Sequence, residues 1–301
     1  MHPERNRNES RADPMAASEP LWLRCLLITA AVGVVTWVIV LPVVYVFVQA
    51  LGSGLGAYLD SLFGDPDTRH SIWLTLTLAP LAVLLNTVFG LAAAWALTRF
   101  KFPGRTLLVT LIDLPFAVSP VVAGLMFVLL FGMQGYLGPV LRDIGMSVIF
   151  SWPGLLLGTT FVTLPFVARE LIPLMQALGS DEEMAAVSLG ANAWQLFWRV
   201  TLPNIKWGLL FGFIQCNARA IGEFGAVSVV SGHVAGETET MPLRVEKLFQ
   251  EYNTPGSFAV ASLLTLMALF TLVAKVVVER ISARTASDEE SAPTGQTEVG
   301  P

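Results

Sequence analysis

An arginine and a glutamate, Arg219 and Glu223, interrupt an otherwise apolar run at 207–231. Four residues apart on a helix, they share one face. Ionisable side chains inside an apolar helix face a bundle interior or a water-filled cavity rather than lipid. Two readings stand open. In one, Arg219 attracts an anion while Glu223 holds it ready or gates its path. In the other, the two charges pair, with each other or with a neighbouring subunit, and position the helix. Gly222, Gly225 and Ala226 beside them allow another helix to approach closely. A further acid, Asp113, stands in Leu111-Ile-Asp-Leu-Pro-Phe116, with Pro120 following. Prolines break the backbone ladder and can supply carbonyls or a bend that lines a path. A plain kink, with Asp113 reaching a cytoplasmic partner, is the alternative. Arg219, Glu223, Asp113 and Ser228 are the candidates for lining such a path.

A second patterned segment is the polar stretch 177–203. Ser180 followed three residues later by Glu183 has the spacing of a capping box, and Asp181, Glu182 and Glu183 place negative charge in a first turn, where the helix dipole favours it. Gly190 can take the left-handed conformation that ends this short helix, and Asn192 with Gln195 offers a second cap. Trp194, Phe197 and Trp198, at i, i+3 and i+4, then predict another helix, stopped before Pro203. The first helix presents Ala185 and Ala186, small side chains that permit close approach. The pair is either an interfacial element resting on lipid headgroups or a knob for a cytoplasmic partner.

Several chemistries have no residues to carry them. The chain has no Gly-x-x-x-x-Gly-Lys-[Ser/Thr] loop to hold ATP, no His-Glu-x-x-His and no Gly-x-Ser-x-Gly. Its three histidines, His2, His70 and His233, are dispersed, with the last two at predicted helix ends, and its two cysteines, Cys25 and Cys216, lie in separate apolar stretches. No enzyme activity, cofactor or metal is expected.

The elements that must position these residues are membrane helices. Of 301 residues, 54% are hydrophobic and 14% charged, and the mean hydropathy is +0.64. Such a composition does not suit a water-facing surface. A net charge of -5 gives no basic footprint for nucleic acid. Charge-poor intervals at 25–59, 70–98, 106–141, 144–168 and 252–274, with 207–231 as a sixth, each exceed the roughly 20 residues that cross about 30 Å of hydrocarbon. The fold class is all-α, a polytopic membrane protein of six transmembrane helices over 21–280. Residues 1–20 and 281–301 read as disordered tails. Arg5, Arg7, Arg11 and Arg24, then Arg99, Lys101 and Arg105, then Arg169, Arg199 and Lys206, then Lys275, Arg280 and Arg284 fall on one side of the spans. The positive-inside rule therefore puts both termini in the cytoplasm.

Ala185-Ala186-x-x-x-Gly190, followed by Val200-x-Leu202-Pro203, resembles the EAA signature of permease subunits of bacterial ABC importers. The resemblance implies the type I ABC importer permease (MetI-like) fold. It also implies a coupling helix, with Glu183, Ala185, Ala186, Gly190, Leu202 and Pro203 meeting a separate ATPase subunit that acts as a homodimer. Met184 stands where that signature carries a glutamate, with Glu183 one place earlier, and Val200 replaces an isoleucine. Asn217-Ala-Arg-Ala-Ile-Gly-Glu-Phe-Gly225 and Phe161-Val-Thr-Leu-Pro-Phe-Val-Ala-Arg-Glu170 are similar to the CysW-type permeases of sulfate/thiosulfate importers. Gly236-Glu-Thr and Tyr252-Asn-Thr-x-Gly-Ser-Phe258 agree with them. This implies sulfate or thiosulfate import across a bacterial inner membrane, with a second permease of the CysT type and a periplasmic sulfate/thiosulfate-binding protein as partners. Molybdate/tungstate permeases share part of the pattern. An ion-coupled secondary anion transporter would need paired ionisable residues in two related halves, and a non-transporting scaffold would leave Arg219 and Glu223 without a role.

Overall fold

The structure is a computed structural model and describes residues 21–291; the predicted tail 1–20, and 292–301 of the other tail, lie outside the described residues. By contacts the chain forms two compact units, one ending at Val48 and one starting at Gln49. The regular structure of the described residues is all helix, with no strand among them.

The first helix, α1 (Trp22–Leu51), is 30 residues long and passes through a π-turn at Thr36–Val40. Apolar side chains stand exposed along its length, among them Trp22, Val34 and Trp37. A helix apolar on all sides is one whose solvent is lipid.

In the second unit, α2 (Leu55–Phe63) leads to α3 (Pro66–Arg99). Asp65 caps α3 by accepting the amides of Asp67 and Thr68 at 3.3 and 3.2 Å, and Pro66 occupies its first turn, where no amide partner is needed. Next come α4 (Arg105–Ala117) and α5 (Pro120–Phe131). They are bent by 108° at the intervening break, so the interval expected as one continuous span at 106–141 is divided into two helices. Pro120 cannot continue the ladder of α4 and instead begins a new helix.

After α6 (Gly138–Asp143), α7 (Trp152–Leu178) runs 27 residues. It begins later and ends ten residues beyond the expected span 144–168, so Arg169 and Glu170 lie inside it rather than in a loop. Charge marked the wrong boundary because Arg169 is neutralised by a partner on α4, as described below. Then follow α8 (Asp181–Ser188), α9 (Ala193–Leu196), α10 (Leu202–Ile221), α11 (Gly225–Val230), α12 (Met241–Gln250) and α13 (Thr254–Ser291). The helical backbone of α13 passes the expected tail boundary at 280, since beyond Pro255 and Gly256 in its first turn no glycine or proline interrupts it before Pro293.

Among the described residues, four helices are long and apolar enough to cross a membrane, and a fifth span is gained if the bent pair α4–α5 counts as one. The sixth expected span, α10, has 20 residues, enough for about 30 Å at roughly 1.5 Å per residue, but it carries Lys206 and Arg219.

Small residues set the helix spacing. A Cβ on Gly90 of α3 would lie 2.8 Å from the Cβ of Val167 on α7, and one on Gly212 of α10 would lie 3.2 Å from the Val167 Cα. Backbones this close are the packing device of helices in lipid, where no hydrophobic force drives them together. Around the contact sit Ala79, Val83, Ala94, Leu171, Met175, Ile205 and Cys216, all buried. At the same crossing the buried Asn86 amide donates to the Thr163 hydroxyl at 2.8 Å and to the Thr160 carbonyl at 3.1 Å. That carbonyl is free because the Leu164 amide turns to Phe161 at the break before Pro165. Asn86 thus supplies a donor to the backbone oxygen the broken ladder leaves over.

Candidate functional site

Helices α8 and α9 form the knob expected between the fourth and fifth spans. Helix α8 carries its three acids in the first turn, but Ser180 makes no side-chain cap. Glu183 is drawn away by a stronger partner. Its Oε2 lies 2.7 Å from Nε of Arg99, at the end of α3, and its Oε1 accepts from the Arg99 guanidinium at 3.0 Å and from the Thr201 hydroxyl at 2.9 Å. Arg99 also donates to the Met175 carbonyl at 3.2 Å. The charge-assisted fork takes the carboxylate that a capping box would have turned back to the Ser180 amide. The second cap forms in full: Asn192 accepts the Gln195 amide at 2.8 Å and Gln195 accepts the Asn192 amide at 3.0 Å.

Between them Gly190 takes φ +88°, a left-handed conformation in which a Cβ would be strained. Pro203, expected to stop the following helix, does not. The chain runs from α9 through a π-turn at Phe197–Thr201 into α10. A π-turn widens the ladder where a proline has no amide to give and its ring would clash with the preceding turn. Phe197 stacks on Trp95 of α3 with centroids 5.3 Å apart, while Trp194, Leu189, Val187 and Met184 are exposed. Ala185 is exposed and Ala186 half-buried; Leu202 is half-buried and Pro203 exposed. The result is an apolar knob, clamped to α3 by Arg99–Glu183 and continuous with α10.

The candidate path residues form two ion pairs. Arg219 lies 2.6 Å from Glu223. The Glu223 side chain is 1% exposed, against 35% for Arg219, and its other oxygen accepts the Ala226 amide at 2.9 Å. Glu223 therefore holds the arginine and also starts α11 across the gap left by Gly222. Of the two readings open for this pair, the mutual ion pair is the arrangement present. Ser228 sits on α11 with its hydroxyl donating to the Gly225 carbonyl at 2.9 Å. Asp113 pairs with Arg169 of α7 at 2.9 Å, and the Arg169 guanidinium lies 4.8 Å from the centre of the Phe116 ring. The two pairs are separate. The close approach of Gly212 to Val167 and Glu170 puts Arg169 level with Gly212, and Arg219 is about 10 Å further along α10 at roughly 1.5 Å per residue.

A third cluster was not foreseen. Arg244 of α12, its side chain 7% exposed, meets Glu239 at 3.4 Å and Asp65, and donates to the Thr68 hydroxyl at 3.2 Å. Lys247 lies 3.5 Å from the fully buried Glu239. Burial pushes the Asp65 carboxyl up, but hydrogen bonds from Thr68 and Arg244, the charge of Arg244 and the Asp67 amide outweigh it and hold the group below its ordinary value. Gly236-Glu-Thr-Glu239 was the available signal, since an acid-rich loop outside the spans with Arg244 five residues on invites pairing. Beside the cluster opens a cavity of about 430 Å³ lined by Asp60, Asp65, Arg244 and Glu251. Among the described residues, no group of three or more His, Cys, Asp or Glu side chains is placed to hold a metal ion.

Comparison with known proteins bears on the family and the fold. Residues 86–286 match the model of a family described as binding-protein-dependent transport system inner membrane component. The chain is 54% identical over 258 residues to the sulfate transport system permease protein CysW of Escherichia coli K12, covering 86% of this chain and 88% of that one. It is 37% identical over 235 residues to the CysT permease protein of the same organism's sulfate transport system, covering 78% and 84%. A crystal structure of a bacterial ABC transporter that imports alginate superposes with a TM-score of 0.69 at 18% identity, covering 87% of this chain and 96% of that one. That likeness establishes the fold.

Proposed function

The chain belongs to the family of binding-protein-dependent transport system inner membrane components, and we propose that it is a permease subunit of an ATP-driven sulfate importer. Identity of 54% over most of the chain to a sulfate transport permease carries the choice of substrate. Thiosulfate, with the same shape and charge, is an expected second cargo. A doubly charged anion cannot enter hydrocarbon unaided, so its passage needs a path of protein dipoles and charges. The same reading places six spans in the inner membrane with both termini in the cytoplasm.

In this mechanism a periplasmic binding protein delivers the anion to a pair of unlike permeases, this chain and one similar to CysT. The small-residue face of α8, with Ala185 and the half-buried Ala186, and the exposed Leu189 just past its end dock on a separate ATPase. Closing of two ATPase copies moves that knob, and the Arg99–Glu183 clamp and the unbroken run from α9 into α10 transmit the motion to the helix that bears Arg219. Leu202 and Pro203 begin α10, just after the turn where that run changes pitch.

Uptake of labelled sulfate by permease-deficient cells, with and without this gene and with excess molybdate as competitor, tests the proposal. Restored uptake that molybdate does not suppress is the expected result. Transport of sulfate into liposomes by this chain alone, with neither the ATPase nor the second permease, would overturn it.

A further inference from the structure

Arg169 was read from sequence as a charge flanking a span, yet it lies inside α7, nine residues before Leu178. Its side chain is 58% exposed and that of Asp113, its partner, 37%. A guanidinium this exposed within a long apolar helix faces water or another polar surface rather than lipid. Its surroundings are built for a displaceable cation. Asp113 holds one edge of the guanidinium at 2.9 Å. The Phe116 ring supports its flat face at 4.8 Å and is itself braced edge-on by Phe166 at 5.3 Å. The ring fixes the plane of the guanidinium whether or not the carboxylate is engaged.

The pair also sits at a distinctive place. Asp113 precedes the 108° break between α4 and α5. Beyond the break, a Cβ on Gly225, two residues after Glu223, would meet Pro120 at 2.7 Å. The Arg219–Glu223 pair therefore borders the far side of the same bend. Irregular backbone at membrane depth is tolerated where it is covered by protein or lines a water-filled cavity. Here it is flanked on both sides by a half-exposed arginine with its own carboxylate.

Resting on the sulfate-importer reading above, we propose that Arg169 is a second anion-contact residue of the translocation path, with Asp113 as the built-in counter-ion that the passing dianion displaces. Each arginine is neutralised while the path is empty. A dianion arriving at Arg169 offers two charged oxygens to the fork in place of one partly solvated carboxylate, and the returning carboxylate then releases it. The Arg219 station differs because Glu223 is buried and also holds α11, so it is the less displaceable of the two.

The test uses the full importer in proteoliposomes: this chain, the second permease, the ATPase and the binding protein, with sulfate turnover and ATP hydrolysis both measured. Arg169→Gln is expected to lower sulfate moved per ATP about tenfold, Asp113→Asn only about two- to threefold, and the double variant to match Arg169→Gln. A purely structural ion pair predicts the opposite: equal losses in the two single variants and recovery in the double. That result, or full transport by Arg169→Gln, overturns the proposal. If Arg169→Gln fails to assemble with the ATPase, Arg169→Lys decides. It keeps the charge and loses the fork, so a severalfold drop supports a direct anion contact and unchanged transport refutes it. If the wild-type importer hydrolyses ATP but moves molybdate and not sulfate, the substrate assignment fails instead, and the same variants scored with molybdate judge Arg169.

Discussion

The contact between Arg99 and Glu183 gives the sharpest prediction, because the family signature carries its glutamate one place later, where this chain has Met184. Glu183 makes three contacts, two of them to a guanidinium, and the side chains of the pair are 14% and 13% exposed. Breaking a buried pair by removing one partner costs about 3–5 kcal/mol; the residual exposure here lowers that to about 2–3 kcal/mol. The loss falls on the orientation of α8 against α3 rather than on the core. At roughly 1.4 kcal/mol per tenfold, the clamped population drops about 30- to 100-fold. Glu183→Ala should therefore leave the importer assembled while lowering sulfate uptake at least tenfold, with ATP hydrolysis no longer answering to the binding protein. Arg99→Ala should match it, and the double variant should be no worse than either, since the coupling energy is then already lost. Returning the family's glutamate in Glu183→Ala/Met184→Glu should not restore uptake, because Met184 is 57% exposed and its neighbour on the helix points elsewhere. Additive losses for Arg99 and Glu183, or full activity in Glu183→Ala, would refute the clamp as the link between the two helices.

Other outcomes follow from single features. At Gly190 nothing lies within 4 Å of an added Cβ, so Gly190→Ala should cost only the left-handed backbone penalty of about 1–2 kcal/mol. It should weaken co-purification with the ATPase without lowering expression, and Gly190→Asn should be milder. Gly90→Val places a branched side chain where Val167 Cβ already sits 2.8 Å from a Cβ. Overpacking of this kind costs about 1–3 kcal/mol or more, read as loss of monodisperse protein in detergent, whereas Gly90→Ala should survive at lower melting temperature. For the Arg244 cluster, the lowered value of Asp65 means its contribution is full at pH above its ordinary 3.8 and lost as pH falls through the lower folded value. Melting temperature should thus fall more steeply below about pH 4 in wild type than in Asp65→Asn, which lacks that contribution at every pH. A parallel decline in both would show that Asp65 does not carry it.

Much of the fold was legible from charge and apolar length alone, because hydrocarbon imposes a severe condition on sequence: about 20 residues without an unpaired charge. The four long helices and the capped knob at 179–196 obeyed that condition or the local chemistry of helix ends, and both act within a few residues of chain. The failures share one cause. The span at 144–168 was cut short because Arg169 looked unpaired, and its partner Asp113 is far away in sequence. Glu183 was drawn out of the capping box by Arg99 for the same reason, and the Arg244 cluster was passed over because Asp65 and Thr68 are brought to it from the start of α3.

Residue type and spacing therefore determined that the chain lies in a membrane, roughly where its apolar helices run, and that Arg219, Glu223 and Asp113 must be neutralised by something. Only the tertiary structure decided by what. Glu223 neutralises Arg219 from within the same helix end, while Asp113 and Glu183 reach across to other helices. The physical reason is that a buried charge specifies the need for a counter-charge but not its address. The address is set by backbone approach at Gly90 and Gly212, and by breaks at Pro120, Pro165 and Gly222 that no local rule places in space.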